Sequence, residues 1–155
     1  MIDARTLGAD LARSVRARSG PPADGTVAFA AAMSLDPERV QDELAYLAIV
    51  TMHFCVGAAV EDPAVRARVA AGFYLALWAG DPWRASMEGL ESRTMDYESA
   101  LNNPHPELGR AYGMGRSFAR QLSAAQDVPV IEFGARAYLE QLSPILGFLR
   151  GLTIV

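Results

Sequence analysis

The chain has 155 residues, of which 51% are hydrophobic and 21% charged, with a formal net charge of −4. That length fits one domain spanning residues 1–155 with a sizeable core, and the composition excludes an intrinsically disordered chain. The acidic balance argues against a nucleic-acid partner, which needs a concentrated basic face. All 14 basic residues are arginine, so Schiff-base chemistry by lysine is excluded. The missing lysine, together with plentiful Ala, Gly, Arg and Pro, has a bacterial-like character.

The N-terminal segment lacks the basic-then-apolar order of a signal peptide, and a cytoplasmic protein is expected. It reads as a helix over residues 3–18, with Leu7, Leu11 and Val15 as a narrow apolar stripe. The segment from Ser19 to Gly25, SGPPADG, is the clearest loop in the chain. Residues 26–35 read as a short alanine-rich helix.

The pair Asp-Pro then occurs three times, at Asp36-Pro37, Asp62-Pro63 and Asp81-Pro82. Aspartate accepts from free N–H groups at a helix start, and proline at the first helical position needs no partner. Helices are therefore expected over 37–60, 63–79 and 82–101, with further starts near Pro104 or Pro106 and near Asp127. No alternating strand pattern interrupts them. The expected fold is all-α: an up-and-down bundle of six or seven helices around a buried central helix.

That central helix holds the stretch from Leu44 to Val60, LAYLAIVTMHFCVGAAV, seventeen residues without a charge, flanked by Asp42, Glu43, Glu61 and Asp62. A helix apolar all round is the core of a bundle or a membrane span. Seventeen residues fall short of the roughly twenty a span needs. No membrane association is expected.

His53 lies inside this stretch. In the core it is a neutral imidazole bonded to a carbonyl or a tyrosine; the sharper alternative is a general base or ligand contact, which needs further polar groups around it. Cys55 is two residues away and cannot face it on a helix. Tyr74 and Trp78 form an aromatic line on the next helix. His53, Tyr74 and Trp78 together are candidates to line an apolar pocket between helices.

Residues 82–101 are amphipathic, with Trp83, Met87, Leu90, Thr94, Tyr97 and Leu101 expected inward and Glu88, Glu91 and Glu98 outward. In the run from Gly109 to Arg116, GRAYGMGR, helical spacing puts Gly109, Gly113, Arg116 and Arg120 on one line. The glycines would admit a neighbouring helix. Arg116 and Arg120 either pair with Glu88 and Glu91 or form an anion pocket, as speculative ligand-binding residues gating the apolar pocket.

No cysteine pair, HExxH or Glu-x-x-His motif is present, so no metal site is expected, and no cofactor. His105, between Pro104 and Pro106, suits a turn better than an axial ligand. From Ile131, a line of apolar residues through Ala135, Tyr138, Leu142, Ile145, Leu149 and Leu152 alternates at spacings of four and three, the seam of helices at a shallow angle. The apolar tail after it is expected to dock on its own core or across a twofold axis, which favours a homodimer through the C-terminal helix and tail.

The leading function is a non-catalytic homodimeric interaction or regulatory domain with a possible protein partner; a small-molecule-binding module near His53 is second. An enzyme using His53 as general base is a third, and the balance leans against catalysis.

Overall fold

The computed structural model describes every residue from Met1 to Val155. Seven helices account for the fold: α1 (Ala4–Arg18), α2 (Asp24–Ala32), α3 (Pro37–Ala59), α4 (Pro63–Trp78), α5 (Met87–Asn102), α6 (Gly109–Gln121) and α7 (Val128–Arg150). The helix α3 packs against each of the other six. It is long and apolar enough to cross a membrane, but more than half of its most apolar window is buried among its neighbours. Val40, Leu47, Ile49, Met52 and Cys55 are enclosed.

Helix starts follow the capping chemistry at Asp36 and Asp62. The Asp36 carboxylate accepts from Glu38 N at 3.0 Å, and Asp62 accepts from Ala64 N at 2.7 Å. Asp3 does the same for α1, accepting from Thr6 N at 2.9 Å.

The third Asp-Pro pair starts no helix. The helix α5 begins at Met87, where the Ser86 hydroxyl accepts from Gly89 N at 3.0 Å. Two arginines hold the chain between α4 and α5 in a non-helical path. Arg16 donates to the carbonyls of Leu77, Ala79 and Asp81, capping the open end of α4. Arg84 donates to Glu38, Asp42, Ser19 O and Gly20 O. Trp83, expected inside a helix, lies in this connection, 6.2 Å from the Trp78 ring and under the Arg16 guanidinium. Met87, expected inward, is exposed.

The helix α6 likewise starts later than the prolines suggest. His105 Nδ1 accepts from Glu107 N and Leu108 N, making a turn before the helix, and Gly109 takes a left-handed φ of 73°.

Two helix pairs, α1 with α4 and α6 with α7, make the most intimate contacts. A Cβ on Gly8 would lie 2.1 Å from Val69 O, and one on Gly72 would lie 2.3 Å from Arg5 O. A Cβ on Gly115 would lie 2.2 Å from Ile131 O. Backbone therefore meets backbone at both crossings. The glycine that admits α7 is thus Gly115; Gly109 faces open space and Gly113 makes only ordinary contact with Ala100.

The helix α7 runs unbroken through Pro144, and its seam residues Ile131, Tyr138, Ile145 and Leu149 are buried. The tail turns back onto the chain's own N-terminus. Ile2 N donates to Thr153 O at 3.0 Å, Val155 N to Ile2 O at 3.0 Å and Ala4 N to Val155 O at 2.9 Å. Leu152 and Ile154 pack on the core there.

Candidate functional site

On α3, Val50, His53, Phe54 and Gly57 follow the three-and-four spacing that shares one helical face. This face looks out between α4 and α5. Tyr74 and Arg66 come from α4; Leu90, Thr94, Glu98 and Leu101 come from α5. Between the three helices lies a cleft of about 480 Å³. That volume is in the range that takes a small organic molecule.

His53 is exposed at the mouth of this cleft, not enclosed in the core. The apolar run around it is misleading because its outward side is small. Gly57 and Ala58 are also exposed, and nothing lies within 4 Å of the position a Gly57 Cβ would take. The tyrosine partner expected for a core histidine is nonetheless there: Tyr74 Oη is 3.0 Å from His53 Nδ1.

Burial, reinforced by the nearby Glu98 carboxylate, pushes the Tyr74 hydroxyl above its ordinary range. The phenol therefore stays protonated at neutral pH. In the tautomer with its proton on Nε2, Nδ1 accepts from the Tyr74 hydroxyl and the ring keeps one N–H donor.

The other candidates are elsewhere. Trp78 packs on Trp83 at the far end of α4 and does not line the cleft. Arg116 and Arg120 are on α6, beside a separate depression of about 320 Å³ with His105, Tyr112 and Asn103. They gate nothing around His53. Arg120 pairs with α5, but through Asp96 at 2.6 Å and not through Glu88 or Glu91. Asp96 is turned toward α6, where Ser117 and Gln121 also donate to it. Arg120 is thus neutralised by Asp96, and Arg116 forms no ion pair.

Sequence reasoning missed a buried polar cluster. Glu43, written off as a flank of the uncharged stretch, is 1% exposed. Its Oε2 accepts from Arg93 Nε at 2.7 Å, and its Oε1 accepts from Tyr97 Oη at 2.6 Å. Arg93 also lies over the Tyr46 ring, 4.2 Å from its centroid. Burial raises the Glu43 carboxyl above the usual range, against the lowering effect of its two donors. Arg93 and Tyr97 are four apart on α5 and so share a face. That spacing was the available signal, but nothing local ties them to a carboxylate on α3.

No group of three or more His, Cys, Asp or Glu side chains converges as a metal site would require. Cys55 is buried with its thiol pushed up to about 11, which suits a packing role. No family model, curated protein or solved structure matches the chain.

Proposed function

We propose that this protein is a cytoplasmic small-molecule-binding domain whose binding site is the cleft between α3, α4 and α5. The observation that carries this reading is the His53–Tyr74 pair at the mouth of a cleft walled by Val50, Phe54, Leu90 and Leu101. Apolar walls with a few oriented polar groups are the usual make-up of a ligand site. The ligand class is an apolar body with a hydrogen-bond acceptor placed for His53 Nε2–H. A general-base role for His53 is disfavoured, since its Nδ1 is engaged by the Tyr74 hydroxyl.

The test is NMR observation of the His53 ring Cε1–H during titration with a panel of bicyclic aromatic ketones. A saturable shift that disappears in Gly57→Leu, which fills the cleft, is expected. No shift with any member at millimolar concentration would sink the proposal.

A homodimer is a second reading, compatible with the first. The tail is engaged within its own chain, so the surface for a second copy is the outer side of α7. Phe148 there is 53% exposed. Light scattering on Phe148→Glu tests it: a fall from dimer to monomer is expected, and an unchanged mass removes α7 from any interface.

A further inference from the structure

A second cavity, about 550 Å³, lies between α1, α2, α3 and α7 and shares no lining residue with the His53 cleft. Its floor is apolar: Val15, Leu44, Ala45, Ala48, Met52 and Ile145. Against this floor stand three polar side chains that the fold leaves without partners. Gln41 is 7% exposed and Thr26 is 9% exposed, and neither side chain hydrogen-bonds to the protein. Gln141 Oε1 is buried with no donor. Of the three, the Gln141 oxygen is the one shut off from solvent without a partner, and an uncompensated polar atom of that kind is costly in a fold, which packing alone does not explain.

The rim adds charge. Arg18 and Arg136 line the cavity and neither forms an ion pair; Glu140 is the one acid beside them. The wall is held in place from outside. Arg84 donates to the Ser19 and Gly20 carbonyls, fixing the loop at the end of α1, and Phe29 of α2 stacks on Phe133 of α7 at 3.9 Å.

We infer that this cavity is a separate binding site for a small, flat organic acid carrying an amide-like edge. A carboxamide has both a donor and an acceptor, so Gln41 and Gln141 match the paired N–H and C=O of a lactam or similar ring. Thr26 supplies a further hydroxyl. The apolar floor takes the ring face. Arg18 and Arg136 take the carboxylate, for which the guanidinium fork is suited. Glu140 lowers the net positive charge of the rim, and so favours a monoanion over a polyphosphate.

The probe is 2-quinolone-4-carboxylate, a bicyclic lactam acid, titrated by calorimetry into the full chain, with 2-quinolone lacking the carboxylate as control. Saturable one-site binding is expected, weakened about tenfold or more by Arg136→Gln, in keeping with loss of one charge-assisted contact. Arg136 is exposed and makes no ion pair, its guanidinium lying 5.9 Å from the Phe133 ring centroid, so this variant is expected to keep the fold, which its melting temperature checks. Gln141→Leu should weaken binding likewise, and Ala48→Trp should abolish it by filling the floor. Gly57→Leu should leave it unchanged, which separates this site from the His53 cleft. No binding at millimolar concentration would overturn the inference. So would equal affinity for the control, or binding abolished by Gly57→Leu and indifferent to Arg136→Gln. That last result would place the probe in the His53 cleft and speak for the proposed function instead.

Discussion

The two glycine crossings and the two inter-helix cavities are opposite solutions to one packing problem. At Gly8–Gly72 and at Gly115, helices approach until backbone touches backbone. Between α4 and α5, and beneath α2, the helices stand apart and leave several hundred cubic ångströms. Pairs locked so tightly fix the frame, and the remaining helices need not close every gap. Open clefts are tolerable in this fold because its rigidity is concentrated at other places.

The sharpest way to break the comparison is to add a methyl group at each kind of site. Gly72→Ala puts a Cβ into the Arg5 backbone, which cannot swing away as a side chain would. We expect a loss of about 3 kcal/mol, at the upper end for overpacking, read as a lower urea midpoint. Gly57→Ala is the same chemical change in a helix where the new methyl meets nothing. It should stabilise by about 0.5–1 kcal/mol through helix propensity. Equal signs for the two would mean that the crossing is looser than its geometry.

The buried Glu43 comes next in size. Glu43→Ala strands Arg93 and the buried Tyr97 hydroxyl and should cost about 3 kcal/mol, as breaking a buried pair does. Its pH dependence has a definite sign. The folded carboxyl titrates above its unfolded counterpart, so its contribution is complete below the unfolded value, about 4.3. That contribution is lost as pH rises through the folded value. The stability of the wild type relative to Glu43→Gln should therefore fall as the pH rises from about 4 through the raised folded value. A relative rise over that interval would mean that Arg93 outweighs the burial.

These residues also mark what a sequence discloses. Helix starts at Asp36 and Asp62 were legible because a cap is a local bargain between a carboxylate and N–H groups two or three residues away. Asp81-Pro82 has the same local form and failed, because Arg16 reaches the Asp81 carbonyl from 65 residues away, and Arg84 in the same connection is drawn to Glu38, 46 residues away. Glu43 with Arg93 and Tyr97 was hidden for the same reason. His53 was misplaced for another: hydrophobic scales count Gly57 and Ala58 as apolar, yet two such small residues beside a histidine make an outward notch. Of the two residues of the aromatic line, Tyr74 meets His53 at that notch and Trp78 packs on Trp83 at the other end of α4.

Capping gives a finer comparison between the two kinds of Asp-Pro pair. Asp62→Ala should cost about 1 kcal/mol, since Ala64 N and Val65 N both lose their acceptor. Asp81→Ala should be nearly silent, because Asp81 is exposed and caps nothing; only its carbonyl, which alanine keeps, is used by Arg16.

His53→Ala is another small expected effect and the most informative about function. A core histidine removed from α3 would leave a void and a large loss. At the mouth of the cleft, the change gives up one hydrogen bond to Tyr74, whose hydroxyl can turn to water. Thermal melting should register a change within about 0.5 kcal/mol, the range of surface substitutions. A loss several times larger would return His53 to the core and remove the donor on which the cleft's recognition of an acceptor group depends.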